Sequence, residues 1–188
     1  MNLEELAIKY GTDKQCQDGH GYTPYYEKYL EPVREKDITL LELGVREGWS
    51  MNMWTEYFPN GEFWGIDNDK EGLCPKSFSC DRVHFHLGSQ DDKLFLENIC
   101  NVAHGFDVII DDASHISSLS IKSFEILFDH VKPGGIYIIE DLHVSGLPEY
   151  NPNNLSTLQY FYQSNRPDDF SIELFINKIM FVKKRGLL

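Results

Sequence analysis

The sequence predicts an α/β fold: a mostly parallel, doubly wound sheet finished by a C-terminal antiparallel hairpin. Three observations carry this. The runs ITLLEL at 38–43, FDVIID at 106–111 and IYIIE at 136–140 are short, β-branched and apolar, as strands buried on both faces of a parallel sheet are. Helical patterns stand between such runs, the alternation of a doubly wound domain. Near the C-terminus two further strands are parted only by an Asn177-Lys178 turn, a hairpin's spacing.

The elements follow in order. Residues 2–10 read as a short amphipathic helix with Leu3, Leu6 and Ala7 on one face, ended by Gly11-Thr12-Asp13-Lys14. Residues 25–33 form a second helix, broken near Pro32. The first strand, 38–43, turns through Gly44 to Gly48 into a helix over 50–58 with Met53, Trp54 and Tyr57 inward. Asn60-Gly61 marks the turn into a second strand, 62–67, and an irregular stretch with Gly72 and Pro75 follows. A third strand is expected at 82–87, a helix at 90–103, the fourth strand at 106–111 and a helix at 116–130 that Pro133-Gly134-Gly135 stops. The fifth strand runs from Ile136 to Glu140, a helix from about Leu155 to Gln163, and the hairpin from Phe170 to Lys184. One domain is expected over 1–188, with 1–36 as an N-terminal helical or lid segment and 37–188 as the sheet-based core.

Composition bounds the function. With 188 residues, 41% of them hydrophobic and 13% aromatic, the chain is long and apolar enough for one packed core. A formal net charge of -13 argues against a phosphate backbone or an anionic membrane as the main partner. Cys16, Cys74, Cys80 and Cys100 show no metal or redox spacing and read as reduced thiols of a cytoplasmic protein. No segment approaches the ~20 apolar residues of a membrane span. His84 and His86 fit a partly exposed sheet face better than a metal pair, and Lys183-Lys184-Arg185 a solvated terminus.

The chemistry gathers at two strand ends. The fourth and fifth strands stop in Asp111-Asp112 and Glu140-Asp141, with His115 just beyond the first pair. Ligands of such sheets bind at the carboxyl ends of the strands. Several carboxylates share a small space only when something positive joins them, and a divalent cation is the simplest candidate. Asp112 alone would more often cap the next helix; four acids on two neighbouring strands favour the ion. Upstream, Glu42-Leu-Gly-Val-Arg-Glu-Gly48 offers a glycine turn for close backbone approach, and Asp67 closes the second strand, placed for the hydroxyls of a ribose. Order and spacing point to a nucleoside-containing cofactor. The G-x-x-x-G turn lacks the GxGxxG of nicotinamide enzymes, which disfavours an oxidoreductase. Gly88-Ser89-Gln90-Asp91 ends the third strand, where it can meet an adenine, cap the next helix, or both.

Taken together, Gly11-Thr-Asp-Lys14 with His20 and Tyr22, then LELGVREGWS, GID, GSQ, DDASH and IIED, resemble the macrolide sugar O-methyltransferases of the mycinamicin type. Their relatives include a group described as cephalosporin hydroxylases. The resemblance spans about Gly11 to Asp141, and DDxSH with IED is its most specific part. It implies the Rossmann-like class I methyltransferase fold with a seven-stranded sheet, S-adenosylmethionine as donor, Mg²⁺, and a sugar or polyketide hydroxyl as acceptor. By position it makes Asp112, Glu140 and Asp141 metal ligands, His115 the general base, and Glu42, Gly44, Ser50, Asp67, Gln90 and Asp111 the donor site. Ala113 and Ser89 depart from the pattern, which usually has glycine and aspartate there. The extra N-terminal domain of the macrolide enzymes is not expected, and a homo-oligomer is compatible with the chain. A competing reading is a non-catalytic, S-adenosylmethionine-binding subunit that supports a partner oxygenase.

Overall fold

A computed structural model of the chain describes residues 1–68, 80–164 and 169–186. Its strands are β1 (Thr39–Leu43), β2 (Glu62–Asp67), β3 (Val83–Leu87), β4 (Phe106–Asp111), β5 (Val131–Ile139), β6 (Phe170–Phe175) and β7 (Ile179–Lys184). They form one seven-stranded sheet in the order β3-β2-β1-β4-β5-β7-β6. The first five pair in parallel, while β7 runs antiparallel to both β5 and β6. This is the expected mixed sheet, and its strand order reverses between β1 and β4. A crevice opens at such a reversal, because the connections leave to opposite faces.

Among the described residues six α-helices cover the faces: α1 (Leu3–Tyr10), α2 (Thr23–Leu30), α3 (Trp49–Tyr57), α4 (Lys93–Ala103), α5 (Ser117–Leu127) and α6 (Thr157–Gln163). The period of two along each strand divides the core. Leu40, Val108, Ile110 and Ile138 pack under α1, α2 and α3 with Tyr26, Trp54 and Phe181. Leu41, Ile109, Tyr137 and Ile139 pack under α4, α5 and α6 with Leu96, Phe124 and Phe161. Ends are held locally. Asn2 and Ser156 make capping boxes at α1 and α6, and Gly11 closes α1 in the left-handed conformation.

Most element boundaries shift by a residue or two from the sequence reading, and four differences have a local physical cause. The helix expected from Gln90 starts at Lys93, because the Asp92 side chain accepts the Phe95 amide while Ser89 donates to Asp91 instead. The second helix begins at Thr23, with Pro24 in its first turn, and tightens to a 3-10 turn at Glu31–Val33. The helix after β4 is α-helical only to Leu127 and ends in a 3-10 turn, Phe128–His130. β5 starts at Val131 and runs through Pro133-Gly134-Gly135, where its register against β4 shifts. A bulge tolerates a proline that cannot donate and a glycine at φ 81°, so these residues bend the strand rather than stop a helix. The Gly72 and Pro75 stretch, with Cys74, lies outside the described residues.

Among the described residues Cys16, Cys80 and Cys100 are free thiols, and no helix is long and apolar enough to cross a membrane. His84 and His86 stand half-buried on the sheet face against the Trp64 ring, as expected. Lys184 is no mere solvated terminus: its ammonium donates to the carbonyls of Phe128 (3.0 Å) and Asp129 (2.9 Å).

Candidate active site

A cavity of about 380 Å³ opens at the β1/β4 reversal, walled by the β1–α3 turn, the end of β2, the β4–α5 loop and residues Thr12 to Lys14. Gly44 makes the narrowest approach. Its φ is 83°, and a Cβ there would stand 2.1 Å from the Asp112 carbonyl oxygen, so any side chain would push the β1 and β4 loops apart. Gly48 at φ 82° then starts α3 without a side-chain cap, leaving backbone amides at the cavity wall. On the far wall the Asp67 carboxylate accepts the Arg46 amide at 2.8 Å.

The two acidic pairs end in different surroundings. Asp111 turns under α5, 2% exposed, where Gln90, Tyr137 and the Ala113 amide approach it at 3.4–3.5 Å. Asp112 faces the cavity and is met by the Lys14 ammonium at 2.6 Å. The same ammonium lies 2.8 Å from Glu140 and 3.7 Å from Glu42, and the Lys14 side chain is 1% exposed. Glu140 is further held by the Tyr26 hydroxyl. Asp141 comes back into the open because the chain turns directly after Glu140, with Asp141 at φ 54°. Its carboxylate accepts the Tyr22 hydroxyl at 2.6 Å and lies near three imidazoles: His20 at 3.4 Å, His115 at 3.5 Å and His143 at 3.8 Å.

Asp112, His115 and Asp141 thus converge, each offering one donor atom within 4.8 Å of the others. Two opposite ligands of one Mg²⁺ are about 4.2 Å apart, so small side-chain adjustments suit the two carboxylates to a divalent cation with the imidazole beside it. His115, like Asp141, sits in the left-handed region, at φ 58°. Such backbone costs about 1–2 kcal/mol per residue and collects where function requires it.

Electrostatics set the buried acids apart. Burial raises the Glu42 carboxyl to about 7, against the opposing pull of Lys14 and a 2.7 Å hydrogen bond from Ser50. Burial also raises Asp111 to about 7, its neighbours being neutral donors too long to hold the charge. Desolvation and the charge of Asp112 push Glu140 well above the carboxylate range. Burial works against the ammonium of Lys14, but Asp112, Glu140 and Glu42 outweigh it and hold it well above the usual lysine value.

Of the residues singled out from sequence, Gly44, Ser50, Asp67, Gln90, Asp112, His115 and Asp141 line the cavity. Glu42 and Asp111 stand behind its wall, and Glu140 belongs to the Lys14 cluster rather than the open trio. Gln90 is 7% exposed and spends its amide on Ser114, Ser123 and Asp111, so it ties its own loop to the β4–α5 loop, to α5 and to the end of β4. Asp112 caps no helix, since α5 begins five residues later with Ile116 at its cap. Sequence reasoning gave no role to Lys14 or Tyr26. Their partners lie 98 and 114 residues away, and the available signal was a lone lysine closing Gly11-Thr-Asp-Lys14 in an acidic chain.

No protein-family model matches the chain. It is 37% identical over 157 residues to the 8-demethyl-8-(2-methoxy-α-L-rhamnosyl)-tetracenomycin-C 3'-O-methyltransferase of Streptomyces olivaceus, covering 79% of this chain and 39% of that protein. To the mycinamicin VI 2''-O-methyltransferase of Micromonospora griseorubida it is 35% identical over 157 residues, covering 79% and 38%. In structure it matches the MycE methyltransferase of the mycinamycin pathway, solved with Mg, SAH and mycinamycin VI. The TM-score is 0.87 at 28% identity, over 99% of this chain and 55% of that one. The chain therefore spans about two fifths of the curated relatives it matches. By sequence and by fold, the chain is similar to the mycinamicin-type sugar O-methyltransferases of macrolide and polyketide pathways.

Proposed function

We propose that the chain is an S-adenosylmethionine-dependent, Mg²⁺-dependent O-methyltransferase acting on a hydroxyl of a sugar or a glycosylated, polyketide-type small molecule. The observation that carries this is the convergence of Asp112, His115 and Asp141 at the mouth of the glycine-walled cavity. Asp67, fixed by the Arg46 amide, is placed for the donor's ribose hydroxyls. Glu42, buried behind the wall with its Oε1 3.7 Å from the Lys14 ammonium, supports the donor's methionine end from behind. Gly44 and Ser50 shape the methionine end, Gln90 positions the loop that meets the adenine, and Asp111 supports that loop from behind.

Asp112, Glu140 and Asp141 would hold the metal, Glu140 being paired with Lys14 when no ion is there. Bound there, the ion supplies Lewis acidity and a template for vicinal oxygens. His115 takes the proton of the acceptor hydroxyl, a role worth roughly 10²–10⁴-fold in rate. As the oxygen–methyl bond forms, the sulfur–methyl bond breaks, and the donor leaves as a neutral thioether. In this reading 1–36 acts as a lid segment of one domain with the 37–188 core, the protein works in the cytoplasm, and neither nucleic acid nor membrane is its partner. A homo-oligomer is consistent with it.

The test incubates purified protein with S-adenosylmethionine, Mg²⁺ and a panel of deoxysugar glycosides, and follows methylated product by mass spectrometry with and without chelator. Chelator-sensitive methylation is expected. Failure to bind S-adenosylmethionine in calorimetry sinks the reading. Binding without turnover on any acceptor would favour the non-catalytic subunit instead.

A further inference from the structure

The α4 face of the sheet carries a second cavity, of about 470 Å³, at the β2–β3 edge. Alternation places it there: Trp64 of β2 and His84 and His86 of β3 turn toward α4, while Phe63 and Phe85 pack on the opposite face. Asn98, Ile99 and Val102 of α4 close the other wall, and Val102, 60% exposed, stands at the open mouth. The sheet wall is a bank of rings. Trp64 and His86 lie parallel within 5°, centroids 5.3 Å apart, and His84 tilts over the indole at 4.6 Å. Two polar atoms in this wall have no partner: Nε1 of Trp64, a residue only 6% exposed, and Nε2 of His86. His84 is different, because its Nε2 lies 2.9 Å from the Glu62 carboxylate. An indole N–H can only donate, and burying it unpaired costs free energy that an incoming acceptor recovers.

We infer that this cavity is a second binding site, for a neutral, flat aromatic molecule whose ring carbonyl accepts the Trp64 indole N–H. The half-exposed His84 ring shifts to admit it. Size and chemistry both support this. The volume falls within the ~300–1,000 Å³ of small-molecule sites. Ring faces reward a flat partner, offset-stacked or edge-on. No Lys, Arg, Asp or Glu is among the described residues that line the cavity. Burial and the neighbouring His84 lower the pKa of His86, so this wall presents a neutral imidazole. A charged ligand would lose its water there with no counter-charge to meet. His86 Nε2, as donor or acceptor according to its tautomer, offers a second hydrogen bond. The two cavities share no lining residue, so the site stands whether or not the strand-end cavity transfers methyl groups.

Coumarin, flat, neutral and carrying a ring carbonyl, is the probe, with naphthalene as its counterpart lacking an acceptor. Both are titrated into the ¹⁵N-labelled full chain, whose three tryptophans give three individually assigned indole N–H signals. Coumarin should move the Trp64 signal downfield saturably, and equally with S-adenosylhomocysteine present in excess. Trp64→Phe should weaken coumarin binding roughly 3–10-fold, the scale of one hydrogen bond, and leave naphthalene nearly unchanged. Val102→Trp, which fills the mouth from an exposed position, should weaken both probes. No saturable shift of the Trp64 signal overturns the inference. So does a shift that S-adenosylhomocysteine abolishes, because coumarin then sits in the strand-end cavity. Equal losses of both probes in Trp64→Phe overturn the role of the indole N–H. Should Trp64→Phe fail to fold, Val102→Trp decides: undiminished coumarin binding there overturns the site.

Discussion

The ends of β4 and β5 look alike in sequence, each an apolar strand closing on two adjacent acids, yet they present those acids by different means. At β4 the alternation of the strand does the sorting: Asp111 goes under α5 and Asp112 to the cavity. At β5 the first acid, Glu140, is buried against Lys14 and Tyr26, and a left-handed residue swings the second outward. In both pairs the first carboxylate is spent inside the protein and the second is offered to the cavity. Adjacent acids at the two strand ends thus enter different surroundings, set by what each already binds.

The sharpest way to break this comparison is to make one substitution at adjacent positions. Asp111 titrates at about 7 in the fold against a usual 3.8. Its folded pKa is raised, so its contribution to stability is fully present below about 3.8 and is lost as pH rises through about 7. Asp111→Asn should thus be more stable than the wild type at pH 8, by roughly 2–4 kcal/mol, with the difference vanishing toward pH 4. Burial raises Asp112 as well, but the Lys14 ammonium opposes it, so Asp112→Asn should gain clearly less at pH 8 than Asp111→Asn. Urea unfolding of both variants in metal-free buffer checks the pair; equal gains at pH 8 would show that the two sites do not differ as described.

On β5 the same logic predicts that Glu140→Gln, replacing a carboxyl that burial and the charge of Asp112 raise, is at least as stable as the wild type at pH 8. Asp141→Asn should stay near wild-type stability while Mg²⁺ affinity falls on the order of 100-fold. A Glu140→Gln variant that melts below the wild type at pH 8 would show that Glu140 is held ionised by Lys14 instead.

His115 sharpens the comparison in function. If it is the base, His115→Ala should lower turnover at least ~100-fold with donor affinity nearly intact, the folded fraction being measured in parallel. A fully folded variant at normal turnover would reduce His115 to a loop residue.

The smallest effect belongs to the donor side. Asp67→Ala should weaken S-adenosylmethionine binding by about 1.5–3 kcal/mol, the scale of hydrogen bonds to a charged group. Unchanged affinity in calorimetry would take Asp67 out of the site.

How much of this was legible depends on range. β2 and β4 match their sequence reading residue for residue, because a strand buried on both faces announces itself through consecutive apolar residues. The hairpin at Asn177 was legible for a local reason as well: Ile176 and Asn177 both take positive φ, which asparagine tolerates. Pro133-Gly134-Gly135 misled because the same residues that stop a helix also build a bulge, and only the neighbouring strand decides. Asp112, Asp141 and His115 were readable as a site since each ends or follows a strand. The division of labour among the acids was not, because it is imposed by Lys14, Tyr22 and Tyr26 from a segment remote in the chain.

That remoteness sets a timetable. The Tyr22 hydroxyl and its Asp141 acceptor are separated by 119 residues. At a ribosomal rate of ~5–20 residues per second, the N-terminal segment waits on the order of 6–24 s for the strand ends it must meet. During that interval Lys14 is an ordinary hydrated lysine, and Asp112, once made, has no internal counter-ion until the segment docks. The rim is therefore closed only after β5 has been made, and a divalent ion arriving before Lys14 would find an acidic cluster still open to it.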